Sequence, residues 1–358
     1  MTKGAAIARF GGVGDNLITA SVIPGLKKKY GRVDVLSKAP YSCVYEGNPH
    51  VDRLIHPDMD SIPNDSVQWQ KWFTSRGKEY DFFINFSHTL EVVGALQITQ
   101  SQFYWPEKYR RKWAGESYLL RTLELCDLEP ESMDKLYYST PEEEEKAFDT
   151  KAVISQDFIA WVLSGTRIDK VYPHAAITIA RLIKEVGPVA MLGSPGPQFE
   201  QAKKIEETVA LINGSHAGLH TCLSPTTDAQ GNQILYEKLS WPIRRICTWA
   251  NTSRVVVGPD TGPMWSVALE RTPKVLLLSH ASPRNISYLW RNTITLHADP
   301  DRVSCWPCHR LHEDISTCRK AVSNESAACM DNISVDEVVQ AVKEAWTMST
   351  PTPMTTTQ

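Results

Sequence analysis

The chain has 358 residues, 42% of them hydrophobic, enough for one large core or two cores of about 150 residues each. A formal net charge of -3 and a pI of about 6.4 leave no global basic field to hold a polyanion. Mean hydropathy is -0.29 and no apolar run reaches the roughly 18 residues of a membrane span. The start, MTKGAAIARFGG, lacks a signal peptide's apolar core and cleavage site, so a cytoplasmic protein is expected.

Strand-like apolar runs alternate with helical patterns along the chain. The strands expected in order are Ala5–Arg9, Val33–Leu36, Phe82–Asn85, Ile159–Leu163, Val189–Leu192, Arg254–Val257 and Lys274–Leu278. The helices expected are Gln97–Phe103, Gly115–Cys126, Tyr172–Glu185, Gln198–Ile212, Trp241–Ala250 and Val335–Ala345. Such alternation implies parallel sheets covered by helices. The pattern runs twice, with the acidic, apolar-poor STPEEEEKAFDTK between the two sets. That segment reads as a link and a solvated helix start, with Pro141 in the first turn. The expected organisation is a doubly wound domain over residues 1–150, a second over 151–345, and a low-complexity, disordered tail over 346–358. Ligands of such sheets bind at the carboxyl ends of strands, and the cleft between two domains is the default site.

Two loops stand at strand ends. The first is RFGGVGDN, with Gly11, Gly12, Gly14 and Asp15. A dinucleotide fingerprint needs a third glycine where Asn16 stands and an acid at the end of the second strand, whereas Asp34 lies inside that strand. NAD binding is therefore not the expectation. Glycines let the loop turn tightly, and Asp15 at a helix start is either a general base held ionised by the helix dipole or simply the cap of a helix beginning near Asn16. The second loop, GPDTGPMW, follows a buried strand. Thr261 is placed to cap the next helix and Pro263 suits its first turn, so the amides there form a pyrophosphate site or merely a capped turn. Asp260 would repel phosphate, and is better suited to sugar hydroxyls or to ordering the loop.

GGVGD near the start and GPDTGPMWSVALERTP late in the chain together resemble the ADP-heptose:lipopolysaccharide heptosyltransferases, the GT-B enzymes of glycosyltransferase family 9. VIPGLKKKYG, EYDFFINFSHT, KVYPHAAITIARLIKEVG, AMLGSPGPQFE and CMDNISVDEVVQAV extend the resemblance in order over about residues 3–345. The fold it implies is α/β, two doubly wound Rossmann-like domains facing a central cleft. The activity it implies is an inverting, metal-independent transfer of a sugar from a nucleotide-diphosphate sugar to an acceptor hydroxyl, with no cofactor beyond that co-substrate. Asp15 is then the general base of the first, acceptor-side domain. The second domain holds the donor: Ser164 and Thr166 on phosphate oxygens, Lys170 as a positive charge, Gly193 and Ser194 near the nucleoside, and Thr261 and Gly262 as pyrophosphate amides. Family members carry a histidine three residues after the glycine of Asp-Thr-Gly. Here that residue is Trp265, which either stacks on a sugar face or packs in the core. A sugar-nucleotide epimerase and a non-catalytic sugar-nucleotide binding module are the rival readings of the same fold.

Three further features bear on partners. QFYWPEKYRRKWAGE sets Lys108, Arg110, Arg111 and Lys112 among aromatics that include Trp113. It reads as a solvated basic turn or as a site for an anionic acceptor, either a lipopolysaccharide core sugar or DNA with hydroxymethylated pyrimidines. Cys305, Cys308, Cys318 and Cys329 admit a structural zinc site, packed free thiols or disulfides. The triplets Asp58-Met59-Asp60 and Asp299-Pro300-Asp301 fall in polar loops and read as coincidences, not metal sites.

Overall fold

The protein is described here by a computed structural model covering residues 3–58, 62, 66–87, 104–154, 157–163, 167–193, 197–221, 226–227, 233–234, 243–311, 318, 321–322 and 326–348. The chain divides into two compact units. The first comprises Met1–Pro141, Ala281–Leu289 and Cys308–Ile315; the second comprises Glu142–His280, Trp290–Pro307 and Ser316–Gln358.

The first unit holds a parallel sheet of β1 (Ala5–Arg9), β2 (Val33–Ser37), β3 (Arg53–Ile55) and β4 (Phe82–Asn85), in the order β3-β2-β1-β4. Every residue of β1 and β2 is buried, as expected for strands covered on both faces. Ala6, Ala8 and Leu36 pack against Phe73 of the helix Ser66–Gly77, with Trp69, Trp72 and Phe83 around it. Asp34 is fully buried within β2, where Arg32 chelates it at 2.8 and 3.1 Å and Tyr80 Oη donates to it at 3.1 Å. It serves the sheet and stands at no strand end.

The second unit holds a six-stranded sheet. Its strands are β5 (Ile159–Val162), β6 (Val189–Leu192), β7 (Leu219–Thr221), and, after the short pair β8 (Thr226–Thr227) and β9 (Gln233–Ile234), β10 (Val255–Pro259), β11 (Lys274–Leu278) and β12 (Thr293–His297). The order β12-β11-β10-β5-β6-β7 is parallel throughout. Counted within the unit, this is the doubly wound order 3-2-1-4-5-6, whose direction reverses between β5 and β10. Gly258 makes that junction possible: a Cβ there would lie 2.7 Å from Val162 Cβ and 3.0 Å from Val162 O. Ile159, Trp161, Val189, Val255, Val257 and Val275 line the core, and the capped helix Val335–Thr347 closes over it.

Four expected strands match residue for residue, and three others within two positions. Of the unexpected strands, β3, β7 and β12 lie at sheet edges, where short, half-exposed segments such as RLI and TITLH carry little apolar signal. The helix expected over Gly115–Cys126 is shorter, Tyr118–Glu124, because Ser117 caps it by accepting from Leu120 N at 3.4 Å, and a separate helix, Glu107–Gly115, precedes it. The helix expected over Gln97–Phe103 lies outside the described residues. Pro141 does open a helix, Pro141–Ile154, but its acidic start is not all solvated. Glu143 takes a bidentate contact from the buried Arg244, at 2.6 and 2.5 Å.

Lys274 opens β11, fully buried, and donates to the carbonyls of Glu270 at 3.0 Å and Arg291 at 2.6 Å. Burial lowers its pKa from 10.5 to about 7, with Glu270 opposing the shift. The unfolded chain therefore binds the extra proton between about pH 7 and 10.5, and stability rises with pH across that window by up to about 1.4 kcal/mol per unit. Lys274→Met is expected to remove that slope. Urea unfolding at pH 7, 8 and 9 would read it, and parallel wild-type and mutant profiles would contradict it.

Candidate functional site

Each sheet places one glycine loop where its strand order reverses. In the first unit β1 lies between β2 and β4 and ends on Arg9, whose side chain is fully buried. Arg9 Nη1 donates to Phe86 O at 2.6 Å, and Nη2 lies 3.0 Å from Asp15 Oδ2. The same Oδ2 accepts from Gly12 N at 3.0 Å. Both contacts fall on one oxygen, and the Asp15 side chain is 41% exposed. Gly11 lets these groups meet, since a Cβ there would lie 2.7 Å from both Arg9 Nη2 and Asp15 Oδ2. Asn16 staples the turn by donating to Gly11 O at 3.0 Å and Gly12 O at 2.8 Å, and Ser37 donates to its Oδ1 at 2.9 Å. The helix starts earlier than expected, at Val13 with Gly12 as its cap and Gly14 inside its first turn. Asp15 is thus a first-turn residue reaching back to the cap amide, which corrects its reading as the cap itself.

In the second unit the loop after β10 is organised by Asp260. Its Oδ1 accepts from Trp265 Nε1 at 2.7 Å and its Oδ2 lies 3.3 Å from Lys170 Nζ, which also donates to the Asp260 carbonyl. Both carboxylate oxygens are therefore occupied, one by Trp265 of the following helix and one by Lys170 of the distant turn Ile168–Lys170, in keeping with an ordering role. Trp265 is 3% exposed and meets Trp290 edge-on, with ring centroids 4.9 Å apart. It packs in the core and ties the loop, and does not offer a face to a sugar. Thr261 caps the following helix by backbone position, while its hydroxyl donates to Pro259 O at 3.1 Å. That helix, Gly262–Ser266, is only five residues long, so what it offers an anion is local amides more than a dipole. Gly193, at the end of β6, is packed against Leu163, which a Cβ would approach to 2.9 Å. Ser164, Thr166 and Ser194 lie outside the described residues.

One group at these strand ends carries no signal in the sequence. Arg167, Asp169 and His280 form a chain of contacts: Arg167 Nε donates to Asp169 Oδ1 at 2.9 Å, and His280 Nδ1 lies 3.1 Å from Asp169 Oδ2. No motif marks it, because its members come from two distant segments.

The aromatic and basic segment of the first unit is partly as expected. Tyr104, Trp105, Tyr109 and Trp113 are exposed. Lys108 sits 5.0 Å over the Tyr109 ring, Arg111 pairs with Glu107 at 2.6 Å, and Arg121 covers the Trp113 ring at 3.8 Å. Arg110 departs from the expectation. It is 8% exposed and donates to Leu311 O at 3.0 Å, because the helix turns that position inward. Cys305, Cys308, Cys318 and Cys329 carry free thiols, which overturns the disulfide alternative for them. Among the described residues no three His, Cys, Asp or Glu side chains gather as metal ligands, so the zinc set is not supported. Cys305, Cys318 and Cys329 pack instead against the second core, as small apolar groups. Asp299-Pro300-Asp301 is a local turn, Asp299 Oδ1 accepting from Asp301 N at 2.9 Å; of the other triplet only Asp58 is among the described residues. Among the described residues no helix is long and apolar enough to cross a membrane.

No protein-family model matches the sequence, and no curated protein matches it. Solved structures do. A glycosyltransferase family 9 protein from Veillonella parvula is similar over 98% of this chain and 99% of its own, at 14% identity and a TM-score of 0.66. The ADP-heptose lipopolysaccharide heptosyltransferase II of E. coli is similar over 96% and 98%, at 14% identity and a TM-score of 0.60. The E. coli heptosyltransferase WaaC, solved with ADP, is similar over 95% and 99%, at 14% identity and a TM-score of 0.54. Identity this low carries fold alone. At that level the resemblance read in the two loops holds: the chain has the two-sheet α/β fold of the GT-B glycosyltransferases of family 9.

Proposed function

We propose that the protein is an inverting glycosyltransferase that moves a sugar from a nucleotide-diphosphate sugar to an acceptor hydroxyl. The observation that carries this reading is Asp15, a half-exposed carboxylate fixed at the reversal point of its sheet, with Arg9 Nη2 and Gly12 N both on Oδ2. Asp15 takes the proton of the acceptor hydroxyl, and the freed oxygen attacks the anomeric carbon. The bond to the nucleotide diphosphate breaks, the diphosphate leaves, and the configuration inverts. The donor belongs to the second unit, with Lys170, Thr261 and Gly262 near the diphosphate and Gly193 and Ser194 near the nucleoside. Ser164 and Thr166 are proposed on its phosphate oxygens. The chemistry needs no metal, because fixed amides and cations meet the developing charge. ADP in a solved structure of the same fold supports a nucleoside diphosphate as leaving group.

The acceptor proposed is a core sugar of a (lipo)polysaccharide; lipopolysaccharide stands in the name of the E. coli neighbour. Lys108, Arg111 and Trp113 would face its anionic groups. Their exposed aromatic neighbours also favour a second acceptor, a hydroxymethylated pyrimidine in DNA, on which bases stack.

A thermal-shift screen of ADP-, UDP-, GDP- and CDP-sugars tests the donor. One of them at about 100 times its Kd is expected to stabilise the protein by about 2.7 kcal/mol. That donor is then offered with lipopolysaccharide core sugars and with hydroxymethylated DNA. Transfer to either identifies the acceptor class. Release of an altered sugar nucleotide without an acceptor would make the protein an epimerase, and binding without turnover would make it a binding module. No shift with any sugar nucleotide would remove the reading.

A further inference from the structure

The second sheet carries a polar cluster that the proposed reaction does not use. β5 and β11 are not neighbours; β10 runs between them, and adjacent strands lie roughly 4.8 Å apart. Yet Asp169, beyond the end of β5, and His280, just beyond the end of β11, meet at 3.1 Å. The pair therefore arches over the carboxyl end of β10, where the loop of Asp260 and Thr261 begins. Asp169 adjoins Lys170, whose Nζ holds that loop, so the two contacts share one short turn, Ile168–Lys170.

Burial pushes the Asp169 carboxyl up, but the His280 ring at 3.1 Å, followed by Arg167, outweighs it and holds it well below the usual carboxylate range. The contact of Asp169 Oδ2 with Nδ1 is one of charge without the alignment of a hydrogen bond, and it holds the ring by attraction. Ser279 Oγ lies 2.9 Å from the same Nδ1, and the His280 side chain remains 17% exposed.

The charges around the loop then matter. Lys170 is opposed by Asp260, and Arg167 by Asp169, at 3.3 and 2.8 Å. These two cations and two anions cancel, and Trp265 adds no charge. His280 in its imidazolium form is what makes the described cluster net positive, and a nucleoside diphosphate brings at least two negative charges.

We propose that His280, held by Asp169, is the residue whose positive charge binds the diphosphate of the donor, with Asp169 and Arg167 as positioning residues; this rests on the glycosyltransferase reading above. Among the contacts of His280 are Asp169, with Arg167 behind it, on the β5 side, and Ser279 on its own segment, while Lys170 and Asp260 pair with each other in the neighbouring loop.

The test is calorimetric titration of the full chain with ADP, UDP, GDP and CDP at pH 6 and pH 8. For the diphosphate that binds, His280→Gln is expected to weaken binding about ten- to a hundredfold at pH 6, and His280→Arg to restore it to within about threefold. Wild-type affinity is expected to fall relative to that of His280→Gln between pH 6 and pH 8, the nucleotide's own titration being common to both. Asp169→Asn is expected to weaken the wild type but to add little to His280→Gln, as for residues acting through one another. Equal affinity of wild type and a folded His280→Gln would overturn the proposal and leave the pair as a strap between strand ends. Should His280→Gln fail to fold, His280→Arg decides: affinity retained without the pH dependence supports the proposal, and affinity lost in a folded protein overturns it. If no diphosphate binds the wild type at either pH, the glycosyltransferase reading falls and this inference with it.

Discussion

Asp15→Asn is expected to lower the turnover of sugar transfer by about 10²–10⁴-fold while donor binding stays near the wild-type value. Asparagine keeps the shape and can still accept from Gly12 N, so the helix start survives. It cannot take a proton from an acceptor hydroxyl. It also leaves the buried Arg9 without its carboxylate, though Arg9 retains its 2.6 Å contact with Phe86 O. Because Arg9 is fully buried while Asp15 is 41% exposed, the loss of that ion pair is expected to cost about 1–3 kcal/mol. The checks are steady-state kinetics with the donor found in the screen, and a melting curve on the same sample. A variant that melts like the wild type and transfers sugar within tenfold of it would leave Asp15 a helix-start residue and nothing more. A fall in donor binding with unchanged turnover would move Asp15 from the chemistry to the binding of substrate.

Asp260→Ala is expected to destabilise the second unit by about 2–4 kcal/mol and to abolish the stabilisation by donor. Two groups lose their acceptor at once. Trp265 Nε1 donates to Oδ1 at 2.7 Å from a nearly buried ring, and Lys170 Nζ sits 3.3 Å from Oδ2 with only 20% of its side chain exposed. An indole N–H left unsatisfied costs roughly 1–3 kcal/mol, and the exposed fraction of Lys170 limits the second cost. Asp260→Asn separates the two effects, because it still accepts from Trp265 and loses only the charge. Urea unfolding is expected to place it between the wild type and alanine. An alanine variant as stable as the wild type would show that the loop after β10 is ordered by something other than this carboxylate.

Much of the candidate site was legible because its signals are local. RFGGVGDN and GPDTGPMW each lie between a buried apolar run and a helix, so their position at a strand end follows from neighbours within about ten residues. The partners of those loops were not legible. Lys170 and Asp260 stand 90 positions apart, and Arg9 and Phe86 stand 77 apart. The same holds for Trp265. Its sequence admits a sugar platform or a core residue, and the contacts with Asp260 and Trp290 decide for the core. Arg110 shows the limit of reading charge as surface, since the turn of the helix carries it inward to Leu311 O.

The sequence by itself determined the alternation of strand and helix, the central strands, the two glycine loops and their likeness to one fold family. All of these depend on hydrophobic period and on glycine or proline at fixed short spacing. Only the tertiary structure decided the edge strands β3, β7 and β12, whose stability comes from the neighbouring strand more than from their own residues. It alone decided that Asp260 joins its loop to Trp265 and to the distant Lys170, and that Asp169 and His280 meet across β10. Those contacts arise from the order in which parallel strands pair, and strand order is fixed by packing over the whole sheet, not by any local run of residues.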